Sequence, residues 1–276
     1  MPSKPGVIRD IIVQLTGSSE DEFRLDAAVR IAKEFDAHLI GAHLQQLPEI
    51  LDIANPAQSA TVRELLEESE READRSFRSV SARFADLKVS NELRRFHGLS
   101  DMLGSDLAQL ARTADVFVGT RPYGDPAGHR QIEERVLFGS GRACLFLPPG
   151  GSAHERFERI AVAWDGSREA ARAVAEAVPF LTRAKAVHLV CIGETEQKAP
   201  FHGIKAHLER YGVAAEATTV PYDNGTGEQL EQFAHQMGAD LIVMGAYGHA
   251  RLIEWMFGGA TRHLLRHATL PVLMAH

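Results

Sequence analysis

The glycines near the carboxy terminus form the pattern with the clearest chemical meaning. A short apolar run is followed by Gly245 and Gly248, and after nine intervening residues Gly258 and Gly259 open a segment with helical spacing. Glycine lets an oxygen-rich ligand approach backbone amides. A helix start presents unpaired N–H groups and the positive end of the helix dipole. The pattern therefore predicts an anion site, most simply a phosphate site.

This spacing matches neither of two widespread phosphate motifs. No lysine lies in the loop, as the Walker A motif would require, and the dinucleotide pattern Gly-x-Gly-x-x-Gly is absent. A plain turn between a strand and a helix explains the same glycines equally well, so that alternative stays open.

Apolar runs and helical segments alternate along the whole chain. In the second half we predict strands at 159–164, 186–192, 213–220, 241–244 and 271–275, and helices at 168–181, 200–211, 227–237 and 260–267. In the first half we predict strands at 7–15, 37–43, 88–96, 116–118 and 144–147, with a charge-rich amphipathic helix at 61–85. Such alternation predicts βαβ units and a parallel sheet, whose ligands lie where the strand order reverses.

The two halves resemble each other. Three pairs of segments align in the same order: Val13–Ser18 with Val162–Ser167, His38–His43 with His188–Gly193, and Ala114–Gly119 with Ala239–Gly245. The turn-rich stretch 148–153 reads as a linker. We therefore expect an α/β protein of two Rossmann-like domains, 1–149 and 155–276, each with a five-stranded sheet in the order 3-2-1-4-5.

Composition excludes several classes of protein. The net charge of −7 argues against a nucleic-acid partner. No apolar run reaches the roughly 20 residues of a membrane span, and no secretion signal is recognisable at the amino terminus. Cys144 and Cys191 lie inside apolar runs and are expected as core residues. A cytoplasmic protein with no membrane partner is the prediction.

With these motifs the chain resembles a tandem universal stress protein of the UspA-like type. The resemblance rests on Ala163–Ser167 after the first strand of the second half, and on the glycine loop that begins at Gly245. It implies binding of ATP or a related adenine nucleotide, with Asp165 on the ribose or adenine side and the backbone near Ile192 reading the base. The residues implied for nucleotide binding are Ala163, Asp165, Ile192, Gly245, Gly248, Gly258, Gly259, Ala260 and Thr261.

The sequence departs from the family pattern at several points. Gly259 stands where the family has Ser or Thr, so one hydroxyl donor to phosphate is missing, and Thr261 is a candidate substitute. Thr16 stands where Asp165 stands in the repeat, and Pro122, Asp125 and other residues after Gly119 disfavour phosphate. We expect the first half to keep the fold without this nucleotide site.

No constellation of a dedicated catalyst is recognisable. His263 and His267 have metal-pair spacing, but a surface or helix-end role is favoured, and Mg²⁺ is expected only through the nucleotide phosphates. The leading hypothesis is a stress-response protein that acts through conformation or partners. A nucleotide-free scaffold and a slow ATPase stay open as alternatives. The resemblance implies that the last strand pairs domains across a two-fold axis, either within this chain as an intramolecular pseudo-dimer or in a homodimer.

Overall fold

The computed structural model describes residues 7–47, 56–123, 130–151, 156–193, 201–223, 225–246 and 259–276. These residues form ten strands and eight helices. The strands are β1 (Asp10–Leu15), β2 (His38–Gln46), β3 (Asn91–Gly98), β4 (Val116–Thr120), β5 (Ala143–Leu147), β6 (Arg159–Ala163), β7 (Ala186–Ile192), β8 (Ala215–Val220), β9 (Leu241–Gly245) and β10 (Val272–Ala275). The helices are α1 (Glu20–Phe35), α2 (Pro56–Ala85), α3 (Ser100–Ala111), α4 (Arg130–Gly139), α5 (Arg168–Leu181), α6 (Phe201–Glu209), α7 (Thr226–Gln236) and α8 (Ala260–His267).

All ten strands belong to one sheet. Its order is β3-β2-β1-β4-β5-β10-β9-β6-β7-β8, so each half has the predicted order 3-2-1-4-5. The strands within each half are parallel. The halves meet at β5 and β10, which pair antiparallel with Leu273 opposite Leu145. The α/β class and the strand order are therefore as predicted, and the two five-stranded sheets are continuous.

The helices cover both faces of the sheet. Helices α1, α2, α5 and α6 share one apolar core, and α3, α4, α7 and α8 share the other. The first core crosses the boundary between the halves, because the Phe35 and Phe180 rings meet edge to face with their centroids 5.5 Å apart. The central strands, such as β1, β4 and β9, are buried on both faces, which explains their nearly continuous apolar sequences, whereas the edge strands β3 and β8 are polar and partly exposed.

The internal repeat is visible in matching backbone contacts. The Asp115 carboxylate accepts from the Arg9 and Asp10 amides, at 2.6 and 3.1 Å. The Asp240 carboxylate accepts in the same way from the Glu158 and Arg159 amides. Each aspartate thus fastens the turn before the fourth strand of its half to the start of the first strand.

The sheet register corrects one part of the sequence alignment. Leu39 pairs with Ile11 in β1, and Val187 pairs with Ile160 in β6. The second strands of the two halves therefore correspond with Leu39 matched to Val187, so matching His38 to His188 was wrong by two residues. Similar apolar runs cannot fix a register by themselves, because a shift by two residues leaves each side chain on the same face.

The long inserted helix packs directly on β2. The prediction placed it at 61–85, and α2 begins earlier, at Pro56. A Cβ atom at Gly41 would collide with the Phe84 ring and would lie 2.8 Å from the Leu93 side chain. The absence of a side chain at Gly41 lets the end of α2 sit close to the sheet. Among the described residues, no helix combines the length and the hydrophobicity needed to cross a membrane.

Candidate functional site

The strand order of the second half reverses between β6 and β9. From β6 the chain passes to β7 on one side and returns to β9 on the other, and both neighbours are parallel to β6. The carboxyl ends of β6 and β9 therefore lie side by side, which is the position where open α/β sheets bind ligands. Ala163 closes β6 at this edge, and Gly245 closes β9.

The turn after β6 is built around Asp165 and Ser167. The Ser167 amide donates to Asp165 Oδ1 at 2.9 Å, and Ser167 Oγ accepts from the Ala170 amide at 3.1 Å as the N-cap of α5. Gly166 adopts φ +79°, a left-handed conformation that favours glycine. The Asp165 side chain is exposed at this edge. Asp165 is thus a turn residue, and its carboxylate is also accessible to a ligand.

Gly245 has a packing reason to be glycine. A Cβ atom here would lie 2.5 Å from the Ala170 backbone nitrogen and 2.8 Å from Glu169 Cβ. Only a residue without a side chain lets the first turn of α5 lie this close to the end of β9. The sequence predicted Gly245 as part of a phosphate cradle, and its role there stays a prediction beside this packing role.

Helix α8 begins at the same edge without a side-chain cap. Gly259 is its N-cap, with φ −54° and ψ 152°, and makes no side-chain cap hydrogen bond. Gly259 and Ala260 are partly exposed, and no side chain among the described residues caps the first-turn amides. Thr261 differs, because it is 2% exposed and shares the buried face of α8 with Leu264 and Leu265.

A close helix contact fixes the start of α8. A Cβ atom at Gly227, in the first turn of α7, would lie 3.0 Å from Ala260 Cα and 2.6 Å from His263 Cβ. Glu231 holds the far end, accepting from the Thr269 amide at 2.7 Å and lying 3.3 Å from His263 Nε2. Contacts with α7 therefore fix the position of α8 and of its first-turn amides. The rings of His263 and His267 lie 5.2 Å apart.

Ile192 ends β7 on the other side of β6. It is half-buried, and the next residue, Gly193, turns away with φ +91° while its amide donates to the Val220 carbonyl at 2.9 Å. The edge thus collects Ala163, Asp165, Ile192, Gly245, Gly259 and Ala260. Gly248 and Gly258 lie outside the described residues, as do Trp255, Met256 and Phe257.

A buried glutamate lies beneath the edge. The Glu169 side chain is 4% exposed and pairs with Arg168. Burial alone would raise the pKa of Glu169, but the Arg168 hydrogen bond and charge, with the nearby His276, lower it on balance. His276 Nδ1 lies 2.9 Å from the Ala246 carbonyl oxygen. In the part of the chain that the structure describes, no group of three or more His, Cys, Asp or Glu residues is arranged to hold a metal ion.

A family model for the universal stress protein family matches residues 156–276, which include all of the edge just described. Residues 156–276 are thus similar to the universal stress protein family. A curated relative, universal stress protein Slr1230 of Synechocystis, is 26% identical over 145 residues, which are 51% of this chain. The chain spans about half (49%) of the length of that relative.

Solved universal stress proteins share the fold across both halves. A universal stress protein from Archaeoglobus fulgidus matches 96% of this chain and 95% of its own, with a TM-score of 0.72 and 16% identity. A protein from Pseudomonas aeruginosa described as a putative universal stress protein matches 97% of this chain and 93% of its own, with a TM-score of 0.58 and 15% identity. At such identities the likeness concerns the fold, which is that of universal stress proteins throughout.

The corresponding edge of the first half is filled by a polar network. Asp21 accepts from the Thr16 and Gly17 amides at 2.8 and 2.9 Å. Arg24, with no exposed surface, reaches Asp21 Oδ1 at 2.6 Å, Thr16 Oγ1 at 2.7 Å and Thr120 Oγ1 at 3.3 Å. Side chains of the chain itself thus occupy the space between the ends of β1 and β4.

The sequence analysis missed this network. Thr16 was noted as the counterpart of Asp165, but Asp21 and Arg24 look like ordinary polar positions of an amphipathic helix. The register shows that Thr120 corresponds to Gly245, because Val118 pairs with Val13 as Val243 pairs with Val162. The signal available from the sequence is an Asp and an Arg three residues apart, after a Gly-Ser turn. Asp125 and Pro126 lie outside the described residues.

Proposed function

We propose that this protein binds an adenine nucleotide, ATP or AMP, at the carboxyl edge of β6 and β9, and acts in the stress response through conformation or partners. The observation that carries the proposal is the uncapped start of α8, which sits at the strand-order reversal beside the exposed Asp165. A helix start offers amide donors and a positive dipole end to phosphate.

The comparison of the two halves supports the choice of the second. The positions that hold Asp21 and Arg24 in the first half are Ala170 and Ala173 in the second. With small residues at these two positions, the part of the second edge that the structure describes has no counterpart of the Asp21–Arg24 pair. An anion that met the first edge would have to displace the Asp21–Arg24 pair.

The pseudo-dimer of halves, divided at the linker between 149 and 155, belongs to the same proposal. The antiparallel β5–β10 pair joins the halves. Arg121 donates to the Arg266 carbonyl at the end of α8, and the Arg266 guanidinium stacks 4.9 Å from the centroid of the Tyr123 ring. Because α8 is held at one end by first-half residues, a ligand at its other end is coupled to the junction. The location of the protein in the cytoplasm stays a prediction from composition.

Calorimetric titration of ATP and AMP into the full chain tests the nucleotide proposal. Ala260→Pro removes one first-turn amide of α8, and proline is tolerated at this helix position because Gly259 already has extended ψ. Losing a donor to a charged group costs about 1.5–3 kcal/mol, so we expect affinity to fall roughly tenfold or more. Ala260→Gly keeps the amide and is the matched control.

A nucleotide-free scaffold is the second candidate. Gly259 lacks the hydroxyl, and Asp165 Oδ1 is already engaged by the Ser167 amide. The scaffold is favoured if wild type shows no heat of binding at millimolar ATP or AMP. Binding that is equal in wild type and Ala260→Pro would place the nucleotide elsewhere and contradict the proposed site.

A further inference from the structure

The residues that follow β8 border the proposed nucleotide site. Gly193, the residue after β7, donates its amide to the Val220 carbonyl at 2.9 Å, so the carboxyl ends of β7 and β8 lie side by side. A Cβ atom built on Gly193 would lie 3.6 Å from Tyr222 Cβ. Five residues further along the chain, a Cβ atom on Gly227 would lie 3.0 Å from Ala260 Cα at the start of α8. Tyr222 and the first turn of α7 thus adjoin two points of the same edge.

An apolar surface lines this edge on the side of α7 and α8. Ala163, Ile192, Val220 and Ala260 are each partly buried and pack against the core that α7 and α8 share. On the opposite side of the sheet, the end of β9 at Gly245 is closed by its contact with the first turn of α5. A ligand at the edge therefore meets apolar side chains from the ends of β6, β7 and β8 on the α7–α8 side.

The spacing of the strands places the base of a bound nucleotide. Neighbouring strands lie about 4.8 Å apart, so the end of β7 is roughly 10 Å from the end of β9, with β6 between them. A nucleotide whose phosphate is held at the start of α8 extends its ribose across the end of β6, where Asp165 lies. Its base then reaches the ends of β7 and β8. This placement rests on the proposed function of the second half.

Tyr222 is an aromatic side chain held at this point. It is 61% exposed, the largest fraction among the exposed large apolar side chains of the described residues. Single exposed aromatic residues are ordinary on protein surfaces, so its position, rather than its exposure, points to a role. Gln229 of α7 fixes the backbone on both sides of Tyr222, accepting from the Asp223 amide at 3.1 Å and donating to the Pro221 carbonyl at 2.9 Å.

We propose that Tyr222 stacks on the base of the bound nucleotide, beside the ends of β7 and β8. Gly193 contributes no side chain there, so the space next to Tyr222 stays open. Nucleobases stack on aromatic side chains through their π faces, without a hydrogen-bond pattern that has to match. The base then contributes to affinity by stacking, and a purine, which has the larger ring system, binds more tightly than a pyrimidine.

Fluorine NMR of the full chain labelled with 3-fluorotyrosine tests this proposal. The chain has four tyrosines, and the spectrum of Tyr222→Phe identifies the Tyr222 resonance. AMP and adenosine should each shift this resonance in a saturable way, and ribose 5-phosphate, which lacks the base, should not. CMP should bind more weakly than AMP.

Calorimetry on variants measures what the ring contributes. Tyr222→Ala removes the ring from an exposed position, and we expect the affinity for AMP to fall roughly tenfold while that for ribose 5-phosphate is unchanged. Tyr222→Phe keeps the ring and should recover most of the loss. Tyr211→Ala is the matched control, because Tyr211 is also exposed (36%) but lies just after α6, against the His207 ring. This control should bind AMP as wild type does.

The outcomes separate the base subsite from the phosphate site. The proposal is overturned if AMP binds without shifting the Tyr222 resonance, or if Tyr222→Ala binds AMP as tightly as wild type. If adenosine shifts Tyr222 and AMP binds no more tightly than adenosine, the base subsite stands and the phosphate site at α8 is contradicted. If neither AMP nor adenosine shifts any resonance at saturating concentration, both are contradicted.

Discussion

Arg24 of the first half and Ala173 of the second occupy equivalent positions, 149 residues apart in the chain. The buried positions of α1 and α5 agree at this offset, with Leu25 matching Val174 and Ala28 matching Ala177. One position thus carries the largest cation available to a protein, fully buried, and the other a methyl group. Because of this difference, side chains of the protein fill the space between the ends of β1 and β4 but not the equivalent space between β6 and β9 in the described residues.

The Asp21–Arg24 pair should be costly to break from one side. Arg24→Ala leaves a buried carboxylate without its cation, and we expect a loss of about 3–5 kcal/mol of unfolding free energy. Arg71→Ala breaks the exposed pair with Glu68 and should cost about 1 kcal/mol or less. Urea unfolding of both variants checks the contrast.

The double variant Asp21→Ala with Arg24→Ala copies the second half at these two positions. It should cost clearly less than the sum of the two single variants, because neither charge is then left buried alone. Strictly additive losses would show that the two side chains are stabilised independently.

Gly245 should tolerate no side chain. Gly245→Ala places a methyl group 2.5 Å from the Ala170 nitrogen, so either β9 or α5 must shift, and we expect a loss of about 1–3 kcal/mol. Gly203→Ala is the matched control, since a Cβ there meets no atom within 4 Å inside α6. This control should stabilise by roughly 0.5–1 kcal/mol through helix propensity. Thermal unfolding of both variants measures the difference.

Mild acid should destabilise the protein through His43. Burial, the largest cause, lowers the pKa of His43 below 6.5 in the folded protein, although Asp21 opposes the shift. The unfolded chain therefore takes up the proton first, so this stabilisation is complete above about pH 6.5 and is lost as pH falls. Unfolding free energies at about pH 7 and pH 5, where most carboxylates stay ionised, should differ less in His43→Asn than in wild type. An equal decrease would contradict this role for His43.

Much of the fold is predictable from the sequence, for identifiable reasons. Apolar strands buried on both faces and the Ser167 N-cap give strong local signals, and the helices at 168–181 and 260–267 have the predicted bounds. The match between β2 and β7 was wrong because alternating apolar runs align equally well two residues apart. The Arg24 network depends on which side chains meet across the fold. The spacing of Asp21 and Arg24 after a Gly-Ser turn is a weak local signal of it, and their burial and the contact with Thr120 cannot be read from that spacing.

The site was predictable only in part. Asp165, Gly259 and Ala260 are brought to one edge, as expected from strand order. The burial of Thr261 and the packing role of Gly245 follow from contacts with neighbouring elements. They could not be derived from the spacing of glycines.

Replacing Gly259 with serine, which restores the hydroxyl residue of the family pattern, should strengthen nucleotide binding. The backbone of Gly259 is compatible with serine, so Gly259→Ser can supply a hydroxyl donor to phosphate. We expect affinity for ATP to rise roughly tenfold, from a hydrogen bond to charge of about 1.5–3 kcal/mol. Gly259→Ala adds the Cβ without the hydroxyl and should show no gain. Equal gains in both variants would assign the effect to the backbone.

Native mass spectrometry of the full chain with excess ATP tests the central claim most directly, because it counts bound nucleotides. With Asp21 and Arg24 filling one edge and Gly259 and Ala260 partly exposed at the other, we predict one nucleotide per chain, with roughly tenfold more ATP needed for half occupancy in Ala260→Pro and the same amount as wild type in Ala260→Gly. Two nucleotides per chain, or none at saturating ATP, would contradict the assignment of a single nucleotide site to the second half.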